Sequence, residues 1–282
     1  MTAPKIVVAG SVNLDLVASG AKLPTPGETV TGAMFARHAG GKGANQALAA
    51  RRLGAEVALV ARVGADAMAD EALALLRAGG VDLSGCAVDD AAPTGVALIA
   101  VDAKGENLIV VAPGANATLT PERLRLPPAD ATVCQLELPL GTVARAAALT
   151  KGLFCVNLAP AAGIDARVLD RADLVVVNEG EAAFYGEALR RVRGLVAVTL
   201  GARGARLMQG GALLTEAAPP NVNAIDATGA GDAFVGALTV ALLEKQPHDR
   251  ALRFACAAGA CAATKAGAQP SLPMRTQVDA LV

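Results

Sequence analysis

The chain has 282 residues, longer than the roughly 150 of a common single domain but within the range of one α/β unit. Hydrophobic residues make up 53% and aromatics only 2%, with no Trp, so the core has to be built from Ala, Val and Leu rather than from rings. Twenty-five basic against 26 acidic side chains leave a net charge of −1, which argues against a nucleic-acid partner.

The chain reaches an apolar strand at Ile6–Ala9 without the features of a signal peptide, and its longest apolar stretch, Ala233–Leu243, is too short to span a bilayer. Cys86, Cys134, Cys155, Cys256 and Cys261 contain no C-x-x-C pair and lie mostly in apolar runs, as reduced packing thiols do. A cytoplasmic protein with no membrane partner is expected.

Further strand-length apolar runs follow at Val57–Val63, Thr132–Leu136, Phe154–Leu158, Leu174–Val177 and Leu195–Leu200. Helical patterns separate most of them, at Lys42–Leu53, Ala67–Ala78, Pro139–Thr150, Glu179–Arg193, Gly231–Glu244 and His248–Lys265, several closed by Gly or Pro. This alternation predicts a three-layer α/β sandwich with a central, mainly parallel sheet, as one domain over residues 1–282. Two stretches break the rhythm. Residues 22–37, rich in Pro and Gly, and residues 94–112, where Val96–Val101 and Asn107–Ala112 flank a turn, read as antiparallel hairpins. They are too few to form a core of their own, so a small β lid is expected, with its strands within about 16–38 and 92–112.

The sharpest local signal is the segment Asn223–Phe234, read as a strand ending in the glycine-rich turn Thr228-Gly229-Ala230-Gly231 and opening a helix. Free N–H groups at such a start favour an anion, and Asp232 is placed beside whatever binds; alternatively, Asp232 is an acidic residue favoured by the helix dipole. Gly40-Gly41-Lys42-Gly43-Ala44-Asn45-Gln46 also opens a helix, yet lacks the Ser/Thr of a phosphate-binding loop and the third glycine of a dinucleotide fingerprint. Lys42 and Asn45 there add a cation and a two-way amide, which suit a polyhydroxyl ligand.

Asn13 and Asp15 follow the first strand, where ligand residues gather in open α/β sheets, but the same spacing suits a turn bonded to its own backbone. Glu137, at the end of another strand, poses the same choice. Asn178-Glu179-Gly180-Glu181 fits a capping box, and a magnesium role through water becomes credible only beside a nucleotide.

Taken together, Asn13-x-Asp15, Pro24–Thr29, Gly40–Ala47, Asn178-x-x-Glu181, Thr199-Leu200-Gly201 and Asp226-x-Thr228-Gly229-Ala230-Gly231-Asp232 resemble the PfkB family of ribokinase-like carbohydrate kinases, from about Lys5 to the C-terminus. The resemblance implies ATP-dependent phosphorylation of D-ribose at its 5-hydroxyl. It makes Asn13, Asp15, Gly41, Lys42, Asn45 and Glu137 sugar contacts and Asp232 the general base. Gly229, Ala230 and Gly231 become the anion hole, and Asn178, Thr199, Gly201 and Gly231 lie on the nucleotide side. It also implies Mg2+ with ATP, near Glu181, and a monovalent cation, K+, held by Asp226, Thr228, Lys265, Gly267 and Ser271.

Two features depart from the family pattern: the stretch 182–198 has room for only one helix and one strand, and Cys256 stands where relatives place a polar ring or amide beside adenine. A homodimer joined through the lid is expected, since the lid is too small to bury both its faces. Three rival readings are a nucleoside kinase of the same family, a nicotinamide-dependent oxidoreductase and a non-catalytic sugar-binding regulator. The first should offer a base more apolar surface than Met34 and Phe35, the second needs a glycine fingerprint after the first strand, and the third has no use for Asp232.

Overall fold

The computed structural model describes residues 2–282. Its main sheet has nine strands: β1 (Lys5–Ala9), β4 (Glu56–Gly64), β5 (Cys86–Asp89), β8 (Ala131–Gln135), β9 (Leu153–Asn157), β10 (Leu174–Asn178), β11 (Leu195–Thr199), β12 (Ala205–Gln209) and β13 (Ala212–Ala217). The spatial order is β13-β12-β11-β10-β9-β8-β1-β4-β5, parallel except for β12 and β13. A second sheet, ordered β3-β2-β6-β7, is formed by β2 (Asn13–Ser19), β3 (Met34–Gly40), β6 (Gly95–Val101) and β7 (Asn107–Ala112).

Two-residue periodicity in the parallel strands sends alternate side chains into two separate cores. Ile6 and Val8 pack with helices α1 (Lys42–Arg52), α2 (Ala67–Ala78), α7 (Ala230–Leu243) and α8 (His248–Ala262). Val7 and Ala9 pack with α3 (Leu140–Leu149), α4 (Ala166–Arg171), α5 (Glu179–Tyr185) and α6 (Glu187–Arg190). Two short helices, α9 (Ala268–Ser271) and α10 (Arg275–Asp279), complete the chain. The expected three-layer α/β sandwich is thus present, and Val- and Ala-rich strands are apolar on both faces because both faces are covered.

Several details differ from the sequence reading. Residues 20–33 form no strand; the hairpin of the small sheet joins β2 to β3 across that long loop, so its strands begin before and end after the expected 16–38 span. Asn13 and Asp15 consequently lie in a strand and not in a turn. The small sheet is mixed, because β2 runs parallel to β6. The helix expected over Glu179–Arg193 breaks at Gly186, whose φ of 47° leaves the helical region. Residues 223–226 form no strand; they are an irregular approach to α7. The β12–β13 hairpin was not anticipated, although Gly210-Gly211, with φ of 56° and 80°, supplies the left-handed turn such hairpins need.

The small side chains of the core let α1 and α7 approach closely. A Cβ on Gly236 of α7 would come within 2.9 Å of Ala49 Cβ and Ala50 N of α1. Overpacking there costs about 1–3 kcal/mol, more than the roughly 0.5–1 kcal/mol that Ala gains over Gly inside a helix. Gly236→Ala should therefore lower the urea midpoint with an unchanged slope; a midpoint equal to or above that of the parent would show that the two helices separate freely.

Candidate active site

The site lies at the carboxyl end of the main sheet, where β1 passes into β2 of the small sheet and α1 and α7 begin. Close backbone approach explains the glycines of α1. A Cβ on Gly43 would stand 2.5 Å from the backbone of Gly10 and Ser11, and one on Gly41 (φ 88°) would stand 2.7 Å from Asn13 N. Ala44 N donates to Ser11 O at 2.9 Å, which seats the helix start on that turn. Asp15 lies over Gly40, where a Cβ would meet its carboxylate at 2.3 Å.

This seating gathers charge. Glu137 Oε2 accepts the Ser11 hydroxyl and, at 3.1 Å, the backbone N–H of Lys42. Asp232, in the first turn of α7 and only 8% exposed, accepts Asn45 Nδ2 and Gln46 Nε2, each at 2.9 Å. Gln46 is held in turn: its Nε2 also donates to Asn157 Oδ1 at 3.0 Å, and its Oε1 accepts Gln135 Nε2 at 2.6 Å. Asn157 Nδ2 donates to Val176 O at 3.1 Å. A buried chain of amides from β8 and β9 therefore holds the carboxylate through α1. Sequence reasoning missed Ser11, Gln46, Gln135 and Asn157; for Gln135 and Asn157, each the last residue of an apolar strand, that position was a partial signal, whereas Gln46 inside α1 had none.

Burial raises the pKa of Asp15 to about 7, with Glu137 and Asp232 adding to it and Lys42 opposing it. Burial also raises that of Asp232, against Lys42, Asn45 and Gln46. Burial alone would lower the ammonium of Lys42, but Asp232, Glu137, Glu181 and Asp15 together hold it above its usual value. One cation thus serves four surrounding carboxyl groups.

Two cavities flank these charges. A small one of about 350 Å³ is lined by Asn13, Asn116, Glu137 and, from the small sheet, Val111. A larger cleft of about 900 Å³ is lined by Asn178, Thr199, Gly201, Ala230, Gly231 and Cys256, among others. Asn178 and Glu181 make the capping box: Asn178 Oδ1 accepts Glu181 N at 2.8 Å, and Glu181 Oε2 accepts Asn178 N at 2.7 Å. Burial raises Glu181, opposed by that bond and by Lys42.

Gly229 caps α7 in the left-handed region, with φ of 79°. The N–H of Ala230 donates to Ala227 O at 3.1 Å, whereas those of Gly231 and Asp232 precede the first intrahelical bond, from Ala233 N to Gly229 O. A Cβ on Gly231 would meet nothing within 4 Å, so this turn is open on the cleft side.

Asp226 fastens two loops. Its Oδ1 accepts Thr228 N at 2.8 Å and Thr228 Oγ1 at 2.6 Å, and its Oδ2 accepts Gly267 N at 2.8 Å. Burial would raise this carboxyl, but these bonds and the nearby His38 hold it below its ordinary value. Ser271 Oγ donates to Ala268 O at 2.7 Å. Lys265 lies just past α8, where its N–H donates to Ala262 O at 3.2 Å. Gln269, fully buried in α9 just after Gly267, has no partner for its side-chain amide among the described residues. No cluster of three or more His, Cys, Asp or Glu able to hold a metal occurs among the described residues.

A buried carboxylate at a helix start, with a small cavity that sets Asn13, Asn116 and Glu137 among apolar residues on one side and a nucleotide-sized cleft on the other, is the layout of an enzyme that moves a group between two bound molecules. The model of the pfkB family of carbohydrate kinases matches residues 3–275, and the chain belongs to that family. It is 36% identical to the ribokinase of Bacillus subtilis, over 98% of this chain and 99% of that protein. It is also 36% identical to the ribokinase of Haemophilus influenzae, over 96% of each. Among solved structures, the Thermotoga maritima ribokinase superposes with a TM-score of 0.90 at 32% identity, covering 99% of both chains. The Arabidopsis thaliana ribokinase complexed with ribose and ATP gives 0.89 at 30% identity, again over 99% of both.

Asp15 yields a prediction about stability. Because its folded pKa of about 7 lies above the ordinary 3.8, the folded state favours the protonated form, and stability is lost as pH rises from the unfolded value through the folded one. Asp15→Asn removes that cost. The variant should melt above the parent at pH 8, with the gap narrowing toward pH 5; a gap that does not vary with pH would show that Asp15 carries no raised pKa.

Proposed function

We propose that the protein transfers the terminal phosphoryl group of ATP to the 5-hydroxyl of D-ribose. The observation that carries this reading is Asp232, held by Asn45 and Gln46 in the first turn of α7, next to Ala230 and Gly231, which line the large cleft. The sugar would enter the small cavity at Asn13 and Glu137, which line it, and extend to Asp15, Gly41, Lys42 and Asn45. None of the residues lining that cavity is aromatic, which favours a bare sugar over a nucleoside. Asn45 Oδ1 is buried and unpaired among the described residues, and a sugar hydroxyl would satisfy it.

Asp232 is the general base. A free alcohol near pKa 15 and a carboxylate near 4 differ by roughly 11 units, or ~15 kcal/mol, so the proton cannot leave first. It leaves late: as the loose phosphoryl group bonds to the sugar oxygen, that hydroxyl turns acidic and Asp232 accepts its proton. The raised pKa of Asp232 narrows the gap. The turn Gly229-Ala230-Gly231 is the anion hole, to which Gly231 N–H is already free to contribute and Ala230 N–H would turn from Ala227 O.

Asn178, Thr199 and Gly201 line the ATP side. Magnesium fits here only as an ion that keeps most of its waters, because Glu181 offers one oxygen once the other has capped α5. Bound with ATP, Mg2+ would supply charge neutralisation on the phosphates. The small sheet acts as a lid on one kinase domain spanning the chain. Its exposed Leu98, Leu108 and Val110, which strand alternation sends to one face, support a homodimer through that face. A cytoplasmic location accords with five free cysteines and, among the described residues, no helix long and apolar enough to cross a membrane.

Across ribose, deoxyribose, fructose, adenosine and pseudouridine, ribose should give the fastest ADP release. Asp232→Asn should cut that turnover by about a hundredfold to ten-thousandfold while ribose still binds. A nucleoside turned over faster than ribose, or near-normal turnover in the variant, would defeat the reading.

The Asp226 loops suit a large, weakly hydrated cation. The carbonyls of Asp226, Thr228, Lys265 and Gly267, with Ser271, would hold K+, and the orphaned amide of Gln269 in α9 supports an additional guest. Filling this site would order the turn before α7. Turnover should be higher in K+ than in Na+ or Li+, and equal rates in K+ and a bulky organic cation at matched ionic strength would exclude the site.

A further inference from the structure

Asn116 follows β7, in a 3-10 turn that leads back to the main sheet, and is 1% exposed. Its side chain pairs with the backbone of Val12, the residue at which the chain leaves β1 and turns into β2. Val12 N donates to Asn116 Oδ1 at 2.9 Å, and Asn116 Nδ2 donates to Val12 O at 3.1 Å. A peptide N–H can only donate and a peptide carbonyl can only accept, so this pairing decides which end of the Asn116 amide is oxygen and which is nitrogen.

The decision propagates. Asn116 Nδ2 has a second hydrogen, and it donates to Asn13 Oδ1 at 2.8 Å. Asn13 must therefore turn its carbonyl oxygen toward Asn116 and its NH2 toward the small cavity that it lines. Gly95 makes room for the bond, because a Cβ there would stand 2.3 Å from both Asn116 Nδ2 and Asn13 Oδ1. An amide that could in principle serve a ligand hydroxyl as donor or as acceptor is thereby reduced to a donor.

We propose that Asn116 is a positioning residue for sugar selection: it fixes Asn13 as a hydrogen-bond donor, so that the ligand atom read by Asn13 must be an acceptor. This rests on the sugar-kinase reading above. Asp15 and Glu137 supply acceptors to the same ligand, so the site distinguishes the two hydrogen-bonding roles of neighbouring hydroxyls. A ligand bearing an ammonium at the position read by Asn13 would set a donor against the Asn13 NH2 and be rejected.

Asn116→Asp tests the inference. It keeps the acceptor for Val12 N–H but replaces the donor with a carboxylate oxygen, which forces Asn13 to flip and present its carbonyl to the cavity. Ribose KM should rise about tenfold to a hundredfold, the range for a buried polar group facing the wrong partner, with a smaller change in kcat. In an Asn13→Ala background, the same Asn116→Asp change should have no further effect on ribose KM. An equal rise in both backgrounds would mean that Asn116 acts through the fold and not through Asn13, and would overturn the proposal.

A measurement on the unaltered, ligand-free protein needs neither variant nor sugar. By 15N NMR, the side-chain NH2 of Asn13 should exchange with water quickly and that of Asn116 slowly. Slow exchange at Asn13 would overturn the assignment. Failure of the parent protein to bind ribose would instead count against the sugar reading, while the exchange rates still judge the orientation of Asn13.

Discussion

Burial of the Asp232 carboxylate is the constraint on which the rest of the site depends. A carboxylate removed from water is costly unless its charge and its hydrogen-bonding capacity are both met. Here both are met from one helix: Asn45 and Gln46 of α1 donate to its two oxygens, and Lys42, three and four residues earlier, supplies the opposing charge. Helices α1 and α7 must therefore meet at their amino ends as well as along their lengths. The absence of side chains at Gly43 and Gly236 lets α1 lie against the Gly10–Ser11 backbone and against α7 at once.

The same geometry leaves the acidic groups in excess. Asp15, Glu137, Glu181 and Asp232 share a single ammonium, and burial, with Glu137 and Asp232 adding to it, raises the pKa of Asp15 to about 7. Such frustration is a common mark of a functional site, where a group is kept in an unfavourable state that a ligand relieves. On the function proposed above, that relief would fall to sugar hydroxyls, which can donate to Asp15, Glu137 and Asn45 Oδ1 without bringing further charge. The orphaned atoms on this side and the bare helix start on the cleft side are complementary: one calls for donors, the other for an anion.

The small sheet links these local demands to the whole fold. All four of its strand ends meet near Asn13, which pairs with Gly40 of β3 and with Gly95 of β6, while β7 returns through Asn116. Asn13 and Asp15 are thus members of the small sheet, and Asn13 also lines the small cavity.

The layers of the sandwich were legible in the sequence, because apolar runs such as Ile6–Ala9 and Leu174–Val177 alternate with Ala-rich helical patterns and leave few other arrangements. The glycine-rich starts of α1 and α7 and the position of Asp232 were equally legible, since they depend on neighbouring residues only. Local spacing could not decide between a turn and a strand for Asn13 and Asp15, because the partner strands that settle it, β3 and β6, lie at least 20 residues away. Nor could it find Gln46, Gln135, Asn157 and Asn116: each is a single amide whose partner sits on a different element, as the 89 residues between Gln135 and Gln46 and the 103 between Asn116 and Asn13 show. The sequence by itself determined the sandwich and the carboxylate at the helix start, which rest on periodicity and on the geometry of one turn. Only the tertiary structure decided which way each buried amide faces, because that orientation is set by hydrogen bonds between segments the chain order keeps far apart.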